Sequence, residues 1–141
     1  TESIIKKALL LFNEKITPII CIGETQDEFE RKETYSVLEK QLEPILTAIS
    51  KNENRSIIIA YEPVWSIGTG TTPENAQLKK IFNFLADLCN QKSSQLDIRF
   101  IYGGSVNEKN IHELKQIKTI GGFLIGNAST TIESLEKIID Q

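Results

Sequence analysis

The chain has 141 residues and a formal net charge of −3. That length supports one domain with its own core, and that charge offers no basic patch for nucleic acid and no overall field to draw in an anionic substrate. The longest apolar run, Ala8 to Phe12, is far too short to span a membrane, and no signal peptide is visible.

Cys21 and Cys89 do not make a disulfide framework, which fits a reducing, cytoplasmic setting. In that setting the Asn54-Arg55-Ser56 and Asn127-Ala128-Ser129 triplets read as chance matches to the glycosylation pattern.

Helical and strand patterns alternate four times along the chain. Glu2 to Asn13 puts Ile4, Ile5, Ala8, Leu9 and Phe12 on one helical face. Thr17 to Ile22 reads as a strand, with Cys21 as a packed thiol. A long helix is predicted from Gln26 to Ser50, with Thr25 as N-cap, Asp27 and Glu28 in its first turn, and Pro44 kinking or dividing it. Ser56 to Ala60 is short, β-branched and apolar, as a buried strand should be. Thr72-Pro73-Glu74 starts the next helix, which runs to about Asn90 and buries Ile81, Leu85 and Leu88. Ile98 to Tyr102 is the third strand, and Asn107 caps a short helix through Ile117. Gly122 to Ile125 is the fourth strand, and the last helix holds Ile132, Leu135 and Ile138. No linker interrupts the pattern, so residues 1–141 read as a single domain of parallel strands with helical crossovers.

The residues that can carry chemistry follow the strands. Glu62 stands at a strand's C-terminal end, the edge from which catalytic side chains project in parallel α/β proteins. Pro63 stiffens the exit, while Gly68 and Gly70 let the following loop move and approach a ligand. A rigid carboxylate beside a mobile glycine loop suggests a base under a lid. Gly103-Gly104, with the hydroxyl of Ser105, can turn backbone N–H groups toward an anion. His112, the only histidine, falls mid-helix and reads as solvated.

Four motifs occur in order: PIICIGE at 18–24, YEPVWSIGTG at 61–70, IYGGSV at 101–106 and GFLIGNAS at 122–129. Together they resemble the second half of the triosephosphate isomerase family, over essentially the whole chain. The resemblance implies four consecutive βα units, strands five to eight of a (β/α)8 barrel, a fold of about 250 residues when whole. The chain is accordingly expected to be a C-terminal half. The implied activity interconverts dihydroxyacetone phosphate and D-glyceraldehyde 3-phosphate, with no metal or organic cofactor.

By the same resemblance Glu62 is the base that moves a proton between adjacent carbons. Gly68, Ser105, Gly126 and Asn127 hold the phosphate. Pro63, Val64, Trp65, Ser66, Ile67, Thr69 and Gly70 form the lid, Tyr102 steadies it when closed, and Glu24 meets Trp65 on closure.

The chain departs from the family pattern in places. Thr71-Thr72-Pro73 is shorter than the family's second lid hinge, and Asn127 replaces a glycine, a position where Asn can tolerate positive φ. The family's catalytic histidine and substrate lysine match no residue here. The expectation is therefore poor or no isomerisation by the chain alone. Its bare strand edges are expected to pair, as a homodimer or with an amino-terminal half-barrel. The other readings are a non-catalytic, phosphate-binding or structural half-barrel, and another phosphate-using barrel enzyme; the latter lacks the run from Tyr61 to Trp65.

Overall fold

The computed structural model describes residues 2–50, 55–92 and 96–140. Three strands, β1 (Ile19–Ile22), β2 (Ser56–Tyr61) and β3 (Asp97–Tyr102), form a parallel sheet in the order β1-β2-β3. Ile22 aligns with Tyr61, and Tyr61 with Tyr102, so the C-terminal ends of all three strands lie in one row.

The two faces of this sheet differ. Ile20, Ile22, Ile57, Ile59, Tyr61 and Tyr102 alternate along the strands and are buried against helices. On the opposite face Ile19 is 50% exposed, Cys21 and Arg99 are exposed, and Ile58 and Ile101 are half-buried. Cys21 is thus on the open face and not packed in the core, because strand alternation puts its neighbours Ile20 and Ile22 against the helices. Such one-sided burial fits half of an α/β barrel, whose strands need cover on both faces.

Helix α1 (Glu2–Asn13) buries Ala8 and Phe12. The long helix predicted over 26–50 is two helices, α2 (Gln26–Glu30) and α3 (Thr34–Ile49). Thr25 caps the first with a full capping box: its hydroxyl accepts from Glu28 N–H, and the Glu28 carboxylate accepts from Thr25 N–H at 2.8 Å. The break falls at Arg31–Glu33 and not at Pro44. Lys32 takes φ 59°, with Lys32 N–H donating to Phe29 O and Glu33 N–H to Glu28 O, which is a Schellman ending built on lysine where glycine is usual. Pro44 stays inside α3 on its exposed side, where the Lys40 carbonyl that loses its partner faces solvent.

Helix α4 (Asn75–Lys92) starts later than the Thr72-Pro73 signal predicts. Glu74 O accepts from both Gln77 N–H and Leu78 N–H, which places the cap at Glu74. Its buried face holds Ile81, Leu85 and Leu88 as expected. The short helix α5 spans Ile111–Leu114, and Asn107 supports the turn before it by accepting Lys109 N–H at 2.9 Å. In α6 (Ile132–Ile139) only Ile138 is buried; Leu135 is half-buried and Ile132 is 78% exposed.

The fourth strand is the largest difference. Gly122–Ile125 runs beside β3 but forms a single bridge, Phe123 with Tyr102, flanked by Tyr102 N–H to Gly122 O (3.0 Å) and Leu124 N–H to Tyr102 O (2.9 Å). Paired glycines at 121–122 lower strand propensity at its start. The segment still brings residues 124–128 beside the strand ends.

Leu42 lies fully buried on α3. Leu42→Ala is expected to lower unfolding stability by about 2–5 kcal/mol, read from urea denaturation midpoints. An unchanged midpoint would mean that α3 does not support the core.

Candidate active site

Glu62 follows β2, and its N–H donates to Ile22 O at 2.8 Å, extending the ladder with β1 by one step. Its half-buried carboxylate lies over Gly103, where an added Cβ would stand 2.5 Å from Oε1. Glycine at 103 therefore leaves the room that the carboxylate occupies. On the other side Cys21 and Glu62 line one small pocket. Local desolvation first, then the neighbouring Glu62 carboxylate, push the Cys21 thiol up to about 11.

The lid segment leaves β2 through buried Pro63 and a single turn of 3-10 helix, Val64–Ser66. Trp65 is fastened inward. Its indole N–H donates to Glu24 Oε1 at 3.0 Å, and its ring stacks on Phe29 with centroids 4.4 Å apart. Glu24 is completely buried and also accepts from the Tyr61 hydroxyl at 3.0 Å. Burial, then the Glu24 charge, then that hydrogen bond all disfavour the Tyr61 phenolate, so its proton stays on the oxygen and serves as donor. The contact predicted between Glu24 and Trp65 is present.

Ser66 ties the lid to the next loop. Its buried hydroxyl donates to Thr71 O at 2.6 Å and lies 3.3 Å from the Tyr102 hydroxyl. Ser105 Oγ donates to Ser66 O at 2.5 Å and accepts from Gly70 N–H at 3.0 Å. In this conformation the Ser105 hydroxyl proton is given to the Ser66 carbonyl. Gly68 and Gly70 take φ 70° and 78°, which suits the tip to glycine. Thr69 closes the tip, its hydroxyl 3.2 Å from Ser66 O. Val64 and Ile67 are about half exposed.

A cavity of about 510 Å³ lies between these parts. Glu62, Ile67, Gly68 and Gly70 line one side, Gly103 to Asn107 the floor, and Leu124 to Ala128 the far wall. Five predicted residues, Glu62, Gly68, Ser105, Gly126 and Asn127, thus face one space. Asn127 begins a 3-10 turn with Gly126 at φ −85°, and among the described residues only Lys15 and Lys32 are non-glycine residues with positive φ. The glycine replacement therefore asks no left-handed conformation of Asn127. Trp65, Tyr102 and Glu24 stand behind the cavity wall as supports. His112 is exposed on α5, remote from this space.

Sequence reasoning missed Gln41. Its amide exchanges two 2.9 Å hydrogen bonds with Gly23, behind Glu24. The available signal was a polar residue inside the apolar stripe of Leu38, Leu42 and Ile45. Leu124, Ile125 and Ala128 were also not named for the wall; the turn at 126 carries them there.

The motifs, the parallel ladder and this cavity define a barrel-type α/β site that offers one carboxylate and several glycine-rich turns. The family model described as triosephosphate isomerase matches residues 1–141, and the chain belongs to that family. Proteins named triosephosphate isomerase from Geotalea uraniireducens and Aquifex aeolicus are 39% and 41% identical to it, each over 98% of this chain and 56% of the relative. One from Aspergillus oryzae is 40% identical over 91% of this chain and 52% of the relative. The chain thus spans about half the length of the relatives it matches. Among the described residues no helix is long and apolar enough to cross a membrane.

Cys21 supplies a pH test. Its raised value near 11 keeps it a thiol at pH 8, where an unfolded cysteine near 9.0 is partly thiolate. A hundredfold smaller thiolate fraction is partly offset by a more nucleophilic thiolate, so alkylation by iodoacetamide at pH 8 should be about tenfold slower folded than unfolded. From this group, stability is level below the unfolded value and declines as pH rises from about 9 to about 11. Equal rates in native and urea-unfolded chain would show that the fold does not shield Cys21.

Proposed function

We propose that this chain carries the base, the lid and the phosphate grip of a triose phosphate isomerase, within a single domain of cytoplasmic residence. The observation that supports this most is the shared cavity. Glu62, the Gly68–Gly70 lid tip, Ser105 and the Gly126–Asn127 turn all line it. In this reading Glu62 takes the proton from the carbon beside the substrate carbonyl and returns it to the neighbouring carbon. Gly68, Ser105, Gly126 and Asn127 receive the phosphate. Trp65, Ser66 and Tyr102 hold the lid closed so that water is kept from the enediolate formed between the two transfers.

The carbonyl needs an electrophile, and the family's histidine and lysine have no counterpart here. His112 does not stand in, since it lies exposed on α5. Each missing electrostatic group costs about 3 kcal/mol in the transition state. Two would remove roughly 10⁴-fold of the rate, leaving the chain alone a weak phosphate binder. Full activity then requires a second body across the open face, either another copy of the chain or an amino-terminal half-barrel. Purified chain should run as a dimer or larger in light scattering and shift to a heterodimer when such a half is added. A monodisperse monomer in both experiments would remove the pairing.

Glu62→Gln, in the chain paired with an amino-terminal half or in a longer protein that contains it, is expected to lose on the order of 10²–10⁴-fold in kcat, with Glu62→Asp falling between. Turnover near wild type in Glu62→Gln would reject Glu62 as the base.

A further inference from the structure

The backbone groups at the end of β1 divide between two sides. Pro18 O, Ile22 O and Glu24 O accept from Ile58, Glu62 and Val64 N–H, so the even-numbered residues face β2. Strand alternation then turns the N–H and C=O of Gly23 to the outer edge of β1, away from the sheet. There the Gln41 side chain meets both. Gly23 N–H donates to Gln41 Oε1 and Gln41 Nε2 donates to Gly23 O, each at 2.9 Å. One side-chain amide thus supplies the donor and the acceptor that a neighbouring strand would supply.

Gly23 is a sensitive place to hold. An added Cβ would overlap the Glu62 carbonyl oxygen, so the Gly23 peptide lies directly against the backbone of Glu62. The next residue, Glu24, is a completely buried carboxylate whose hydrogen bonds come from Tyr61 and Trp65. A buried charge with so few donors depends on their geometry, and stretching either bond is costly.

We propose that Gln41 is a positioning residue for the lid: by holding the Gly23 peptide in place of a strand, it sets the Glu24 carboxylate to which Trp65 is tied. This rests on the reading of residues 63–70 as a catalytic lid. A leucine at 41 would suit the apolar stripe of Leu38, Leu42 and Ile45, so what it would remove is the pairing of two backbone groups and not packing.

Trp65 is the only tryptophan, so its emission reports this one place. Three variants are compared: Gln41→Leu, Gln41→Glu, which keeps an acceptor for Gly23 N–H but loses the donor, and Leu42→Ala, which weakens the same helix without touching Gly23. In folded Gln41→Leu, Trp65 emission should shift to the red and acrylamide quenching should rise. Gln41→Glu should lie between it and wild type. Leu42→Ala should melt earlier yet keep wild-type quenching. With the other half-barrel supplied, kcat of Gln41→Leu should fall about tenfold with KM little changed.

Unaltered Trp65 emission and quenching in folded Gln41→Leu would overturn the proposal. So would equal changes in Leu42→Ala, or a tryptophan response with kcat unchanged. If Gln41→Leu does not fold, Gln41→Glu is judged by the same readouts; if neither folds, Gln41 is a stability residue only and the proposal fails. The emission test needs no turnover. A Trp65 response together with an active Glu62→Gln enzyme would therefore leave Gln41 in its role and reject Glu62 as the base.

Discussion

Everything at the site depends on the register of one parallel ladder. Ile22, Tyr61 and Tyr102 stand side by side, so the residues that follow them, Gly23-Glu24, Glu62 and Gly103, emerge together at one edge. The apolar alternation enforces that register. A slip by one residue would turn Ile57, Ile59 and Tyr61 to the open face and bring Ile58 and Ala60 under the helices. It would also carry the Glu62 carboxylate off Gly103. Register here decides both the packing and where the Glu62 carboxylate stands.

The second dependence is the buried carboxylate of Glu24. It joins three separate parts: the end of β1, the Tyr61 hydroxyl on β2, and the Trp65 indole in the lid. A charge in that position favours donors that come to it, and both are rigid aromatic side chains carrying one polar atom each. The lid is thereby tied at its first end through Trp65. At its second end the hinge is short, and Ser66 does the tying, through Thr71 O and the neighbouring Tyr102 hydroxyl. The two fastenings are of different chemistry: an indole N–H on a carboxylate, and a hydroxyl on a backbone carbonyl.

The first three strands and the glycine turns were legible because each is written locally. Ser56 to Tyr61 is apolar and β-branched, and Gly68 and Gly70 mark a turn wherever they occur. The divided helix was not legible, since Lys32 holds a left-handed position where glycine is the usual signal, while Pro44 sits harmlessly on an exposed face. The single bridge at Phe123 was hidden for a different reason: its extent depends on pairing with β3, a long-range property. Gln41 was hidden because its partner lies eighteen residues away, and nothing local marks a backbone peptide that needs one.

The open face of the sheet shapes the chemistry as well as the fold. Ile19, Cys21, Ile58, Arg99 and Ile101 line a surface that an α/β barrel would enclose, and Cys21 shares a small pocket with Glu62. A carboxylate acting on a carbon acid needs water kept away, because interactions with the developing charge weaken steeply as the surrounding dielectric rises. Ile67 and Gly68 line the cavity beside Glu62, where the proposed lid would shield it. The sheet's open face is a separate surface, exposed at Ile19, Cys21 and Arg99 among the described residues. Closing the lid and covering the sheet are therefore separate requirements on one residue.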